Sequence, residues 1–134
     1  MQSGTETSVT QQLAAFTAEV SYDDLPPKVV HETKRMLLDA IGCALGGATV
    51  AKGKGAISLA RDMGGQREAS VLGEGLKVPC PVAAFANAEL VNALEFDANL
   101  VPAHMSPFVV SPPLAAAEHR RVSGKTLLLA MAVA

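Results

Sequence analysis

The chain has 134 residues, 49% hydrophobic and only 18% charged, with a net charge of −2. That length is one ordinary domain with apolar side chains enough for a core. The near-neutral balance, and the lack of any Lys/Arg cluster interleaved with aromatics, exclude an electrostatic footprint for DNA or RNA.

In chain order, residues 1–7 read as a frayed, disordered tail. From Ser8 to Val20, Val9, Leu13, Ala14, Phe16 and Val20 recur at helical spacing. "SYDDLPP" breaks that pattern, and Pro26 and Pro27 suit the first turn of a new helix, with Asp23 and Asp24 near its positive end. The strongest helix runs from Pro27 to about Leu45, with Val29, Val30, Met36, Leu37, Ala40, Ile41, Ala44 and Leu45 on one stripe. Gly42, Cys43, Ala44 and Gly46 would let another helix backbone approach closely, and Gly46 and Gly47 are stop signals. A third helix covers about Val50 to Met63 and ends at Gly64 and Gly65.

Gly73, Gly75 and Pro79 then punctuate the chain, leaving Ala69–Leu72 as one short extended piece. These glycines carry no Walker lysine and no GxGxxG after a strong strand, so they do not read as a phosphate loop. Pro81 to Phe96 is again helical and slim, with Ala83, Ala84, Ala86, Ala88 and Ala93. Ser111 and Pro112 are an N-cap and N1 pair opening a helix to about Arg120, and Ser123 caps a last helix. That last helix reaches Ala134 still apolar, with no glycine, basic turn or polar tail, so the reading is a partial, C-terminally truncated domain over residues 8–134. The fold class is all-α, a bundle-like array of helices.

Cys43 and Cys80 lie in apolar, small-residue settings and read as buried free thiols, not a disulfide framework or a zinc site. The first residues lack a basic segment followed by an apolar one, and no apolar run reaches the roughly 20 residues of a membrane span. The expectation is a soluble cytoplasmic protein with no membrane partner. A mean hydropathy of +0.27 is more than one small domain hides, so a large partner surface is expected.

One stretch concentrates chemistry. "EFDANLVPAHMSP" brings Glu95, Asp97, Asn99 and His104 within nine residues of Glu95, stiffened by Pro102 and Pro107. A carboxylate beside an imidazole can orient the ring and stabilise its charged form, and histidine is the side chain most easily set for proton transfer near neutral pH. The same composition suits a polar connection between two helices. His104 with Asp97 or Glu95 is at most a partial metal-ligand set, and His31 and His119 read as solvated. Cys43 sits among Ile41, Ala44 and Leu45, which would raise its thiol pKa, and Ser106 and Ser111 have no triad context.

The residues also carry a resemblance. "LLDAIGCALGGA" (Leu37–Ala48) resembles the first signature of the MmgE/PrpD family. "AAFANAELVNALEFDANLVPAHMSP" (Ala83–Pro107) resembles the second: a small-residue helix, a DFDDT-like turn, then a histidine. "PPLAAAEHRRVSGKTLLLAMAVA" resembles the segment that follows. The family includes 2-methylcitrate dehydratase, cis-aconitate decarboxylase and iminodisuccinate epimerase. The resemblance implies an all-helical large domain, a smaller α/β domain and a homodimer. It implies proton abstraction with elimination, decarboxylation or epimerisation on small polycarboxylates, with no metal and no organic cofactor. The family's active-site acid, threonine and histidine fall on Glu95, Asn99 and His104, and a second acid of the turn on Asp97. Glu95 is one methylene longer than the usual acid, Ala98 stands for the second Asp, Asn99 for the Thr, and the interval to His104 is one residue shorter. The family's Gly–Tyr–Glu segment, later histidine and substrate-binding lysines have no counterpart up to Ala134.

The reading is therefore the N-terminal part of a cofactor-independent lyase or isomerase of di- or tricarboxylates. His104 would be the general acid/base, Glu95 or Asp97 would orient it, and Asn99 would hydrogen-bond substrate. The competing reading is a non-catalytic helical module that keeps only packing or dimerisation surfaces.

Overall fold

A computed structural model describes residues 7–100 and 102–134. Residues 1–6 of the expected tail lie outside the described residues, and Thr7 is exposed, irregular chain. Helix α1, Val9–Glu19, begins on Ser8, whose Oγ accepts from Gln11 N while the Gln11 side chain accepts from Ser8 N. This capping box satisfies two of the donors that a helix start leaves open. A short 3-10 turn, Tyr22–Asp24, leads to α2, Pro27–Gly47, and α3, Ala51–Met63, follows after a sharp corner. Strands β1, Ala69–Val71, and β2, Leu76–Val78, pair antiparallel, with Ser70 opposite Lys77. Then come α4, Cys80–Asn92, a second small hairpin of β3, Asn99–Leu100, and β4, Ala103–His104, and the helices α5, Ser106–Val109, α6, Ser111–Arg120, and α7, Gly124–Val133.

The fold is all-α, as expected, with two minimal hairpins added. The core is centred on α4, which touches α2, α3, α5 and α6. Its Ala83, Ala86, Leu90 and Val91 are fully buried. The small residues of α2 do admit another backbone, but the closest approach is at Gly47. A Cβ there would stand 2.1 Å from Leu90 O, and one on Gly53 would stand 2.0 Å from Gly47 O. Helix α2 ends at Gly47, where the sequence places a stop, but neither Gly46 nor Gly47 takes a positive φ, and Gly47 serves as clearance for the Leu90 backbone. Gly42 faces open space. The α3 stop at Gly64 is as expected, with a positive φ of 54°.

Three boundaries differ from expectation. Helix α4 ends at Asn92, four residues before Phe96, where the ladder gives way to turns, Ala93 N on Leu90 O and Glu95 N on Asn92 O, and Glu95 takes a positive φ. Ser111 does not cap α6: it lies inside the helix, buried, after the short α5. Pro112 and Pro113 lack the N–H groups that would join α5 and α6 into one helix. The extended piece at Ala69–Val71 has a partner strand, turned by Gly73 and Gly75 at φ of 82° and 61°.

That hairpin is tied down by two side chains. Asn87, buried on α4, accepts from Leu72 N at 2.9 Å and donates to Ser70 O at 2.9 Å, as a neighbouring strand would. Glu118 on α6 accepts from Ser70 N at 2.6 Å, from Ser70 Oγ at 2.7 Å and from Lys77 Nζ at 2.5 Å. Partial burial works against the Glu118 charge, but the bonds from Lys77 and Ser70 outweigh it and hold its carboxyl below the ordinary glutamate range.

Much apolar surface stays open. Val9, Leu13 and Phe16 line one face of α1, which buries none of its residues, and Phe96, Leu100 and Phe108 are also exposed. Among the described residues, no single helix is long and apolar enough to cross a membrane.

Candidate active site

The end of α4 and the β3–β4 hairpin build the candidate site. Past Asn92 the chain leaves the helix, and Glu95 takes a left-handed φ of 55°. A non-glycine residue there costs about 1 kcal/mol or more. That turn sends the side chain of Asp97 inward, where it is 0% exposed. The hairpin then returns the chain: Asn99 pairs with His104, Leu100 with Ala103, and Met105 N donates to Ala98 O at 3.0 Å.

The result is one close contact between two of the four expected residues. His104 Nδ1 lies 3.1 Å from Asp97 Oδ1, and the His104 side chain is 34% exposed. A carboxylate only accepts, so Nδ1 donates, and in a neutral ring Nε2 then keeps the free lone pair. The carboxylate of the pair is buried and the imidazole is partly open to solvent. Asn99 stands directly across the ladder from His104, which puts the two on one face of the hairpin. Glu95 is exposed and joins neither Asp97 nor His104 by any hydrogen bond among the described residues. Of the two acids, Asp97 is the one that meets the imidazole.

One participant has no counterpart in the sequence reading. Asn92 Nδ2 donates to Asp97 Oδ1 at 3.3 Å, so that oxygen is shared by an amide and an imidazole. In the sequence Asn92 shows only as an interruption of an apolar run. Its signal is the amide at the last turn of a helix that leads into an acidic loop. Among the described residues Asp97 Oδ2, Ser106 Oγ and Ser111 Oγ are buried with no hydrogen-bond partner.

The other candidates separate from this site by chemistry. Burial, then the charges of Asp39 and Asp97, push the Cys43 thiol up, away from a reactive thiolate. Cys43 and Cys80 are both free thiols, but partly exposed and not buried as the sequence suggests. His119 faces Glu68 at 3.8 Å, and His31 is exposed. No three His, Cys, Asp or Glu side chains among the described residues are grouped to hold a metal ion. A groove of about 540 Å³ runs beside the hairpin, walled by Val29, Met36, Leu100, Met105 and Val109 with Asn99 at its edge.

Comparison with known proteins gives this geometry its context. Residues 11–134 match the MmgE/PrpD N-terminal domain. The chain is 31% identical over 96% of its length to the cis-aconitate decarboxylase-like protein oryM of Aspergillus oryzae, of which it covers 28%. It is 28% identical over 93% of its length to the cis-aconitate decarboxylase of Aspergillus terreus, of which it covers 26%. It thus spans about a quarter of the length of these curated relatives. With a domain match over most of its residues and the helical array that domain implies, the chain belongs to the MmgE/PrpD family.

Proposed function

We propose that this chain supplies the proton-transfer part of an active site that acts on small di- or tricarboxylates, without an organic cofactor or a metal. His104 is the general acid/base. Asp97 holds its ring by accepting from Nδ1–H, which leaves Nε2 to take or give the proton on the substrate carbon or leaving group. Asn99, on the same face of the hairpin, hydrogen-bonds the substrate, and Glu95 lies at the rim. The observation that carries this reading is the 3.1 Å contact between a half-exposed imidazole and a fully buried carboxylate. Both relatives are named for cis-aconitate decarboxylation, which is one reaction of this class. Dehydration and epimerisation start from the same proton abstraction.

The test is turnover of cis-aconitate, 2-methylcitrate and related acids by the protein at its full natural length. His104→Ala is expected to lower the rate by about 10²- to 10⁴-fold, the usual weight of a positioned acid/base. An active protein whose His104→Ala variant keeps full activity would overturn the role of His104.

The second reading, a non-catalytic helical module, draws on a different observation: the apolar face of Val9, Leu13 and Phe16 on α1 is open and would suit a second copy of the chain. A protein that dimerises through this face and turns over none of these acids would be that module. Loss of dimerisation in Leu13→Glu, measured by sedimentation, checks the surface.

A further inference from the structure

The Asp97–His104 contact is the end of a longer series. Lys52, on α3, reaches across to α4, where its Nζ donates to Asn92 Oδ1 at 2.7 Å. Asn92 Nδ2 donates to Asp97 Oδ1 at 3.3 Å, and His104 Nδ1 meets the same oxygen at 3.1 Å. Side chains from α3, α4 and the hairpin thus form one hydrogen-bonded line from an ammonium to an imidazole.

The polarity of that line is determined by chemistry. An ammonium has only donors and a carboxylate only acceptors, whereas an asparagine amide has one end of each kind. Only one amide orientation serves both neighbours: oxygen toward Lys52, nitrogen toward Asp97. With Lys52 gone, the amide oxygen loses its partner and the side chain is held only by its 3.3 Å bond to Asp97. The donor at the oxygen that holds His104 would then be less firmly placed.

We infer that Lys52 and Asn92 are positioning residues for the acid/base pair: Lys52 anchors the oxygen end of the Asn92 amide, and the amide holds the Asp97 carboxylate where it accepts from His104 Nδ1. This rests on the acid/base reading of His104 given above. A stability role explains Lys52 poorly. Its ion pair with Glu89, at 3.5 Å, joins side chains that are 45% and 37% exposed, and such screened pairs contribute little. Its bond to Asn92, also exposed, joins it to the amide that reaches the buried Asp97 carboxylate.

The experiment uses the full-length protein with 15N-labelled histidine, and the variants Lys52→Met, Lys52→Arg, Asn92→Leu and Asp97→Asn. Side-chain nitrogen shifts report the His104 tautomer, and steady-state kinetics on cis-aconitate report kcat and KM separately. Wild type should hold the Nδ1–H tautomer and Asp97→Asn should lose it. Lys52→Met and Asn92→Leu should each mix the tautomers and lower kcat by about 10-fold or more, as losses of such outer partners do, with KM within about twofold. Lys52→Arg should restore both readouts. If Lys52→Met and Asn92→Leu keep the wild-type tautomer while Asp97→Asn loses it, the relay is wrong and the pair stands, whatever happens to kcat. If Asp97→Asn also keeps the tautomer, the orienting role of Asp97 fails, and the relay with it.

Discussion

The junction of α2, α3 and α4 and the turn from Glu95 to His104 are built on opposite terms. At the junction, side chains are removed so that backbones can meet: Gly47 and Gly53 leave no room for a Cβ, with Leu90 against both and Ala93 against Gly47. In the turn, backbone comfort is given up to aim side chains: Glu95 sits at positive φ, Phe96 is exposed, and one buried carboxylate organises the rest. The fold tolerates little change at the first region. The proposed chemistry rests on the second.

The comparison can be broken most forcefully at Gly47. Gly47→Ala would push a methyl against a main-chain oxygen that cannot rotate away, at a cost of about 3 kcal/mol, as overpacked cores show. Thermal unfolding measures it, with Gly42→Ala as the control on the same helix. Gly42 meets nothing, so its alanine should gain roughly 0.5–1 kcal/mol from helix propensity. Equal effects at both positions would mean that the close approach to Leu90 is not what constrains α2.

The turn should respond in the other direction. Glu95→Gly removes a Cβ from a left-handed position and should raise stability by up to about 1 kcal/mol, less the extra entropy of the unfolded glycine. A clear destabilisation would show that the Glu95 side chain anchors the turn and is not at its rim.

The smallest effect concerns acid. The Glu118 carboxyl is held below its ordinary range, so its contribution is present above the unfolded glutamate pKa and is lost as pH falls through the folded value. Glu118→Gln should therefore differ most from wild type near neutrality, and the two should converge as pH drops below the ordinary glutamate range. Denaturant unfolding at a series of pH values reads this. A gap that stays constant into acid would show that the Glu118 charge contributes nothing to anchoring the β1–β2 hairpin.

The helices were legible because their signals are local. Ser123 caps where serine before an apolar run says it should, and Gly64 stops α3 with the left-handed turn that glycine permits. Gly47 marked the end of α2 but not its second role, because a glycine at the end of an apolar stripe looks the same whether or not it also clears space for a neighbour. Only the position of Leu90 shows that it does. The end of α4 was missed because it lies in the turns at Ala93 and Glu95 and the positive φ of Glu95, behind residues that would all suit a helix. In the candidate site, Asp97 and His104 were visible as residue types at short spacing. Which acid meets the imidazole was not, because it depends on the turn at Glu95, and no pattern in the sequence announces a glutamate at positive φ.

The central claim is that His104 moves a proton on a carbon next to a carboxylate. Deuterium incorporation from heavy water into the substrate acid, followed by NMR with the full-length protein and its His104→Gln variant, tests it most directly. The account predicts incorporation by the wild type and a rate at least about 100-fold lower in the variant, with its circular dichroism unchanged. Incorporation by His104→Gln at the wild-type rate would contradict it.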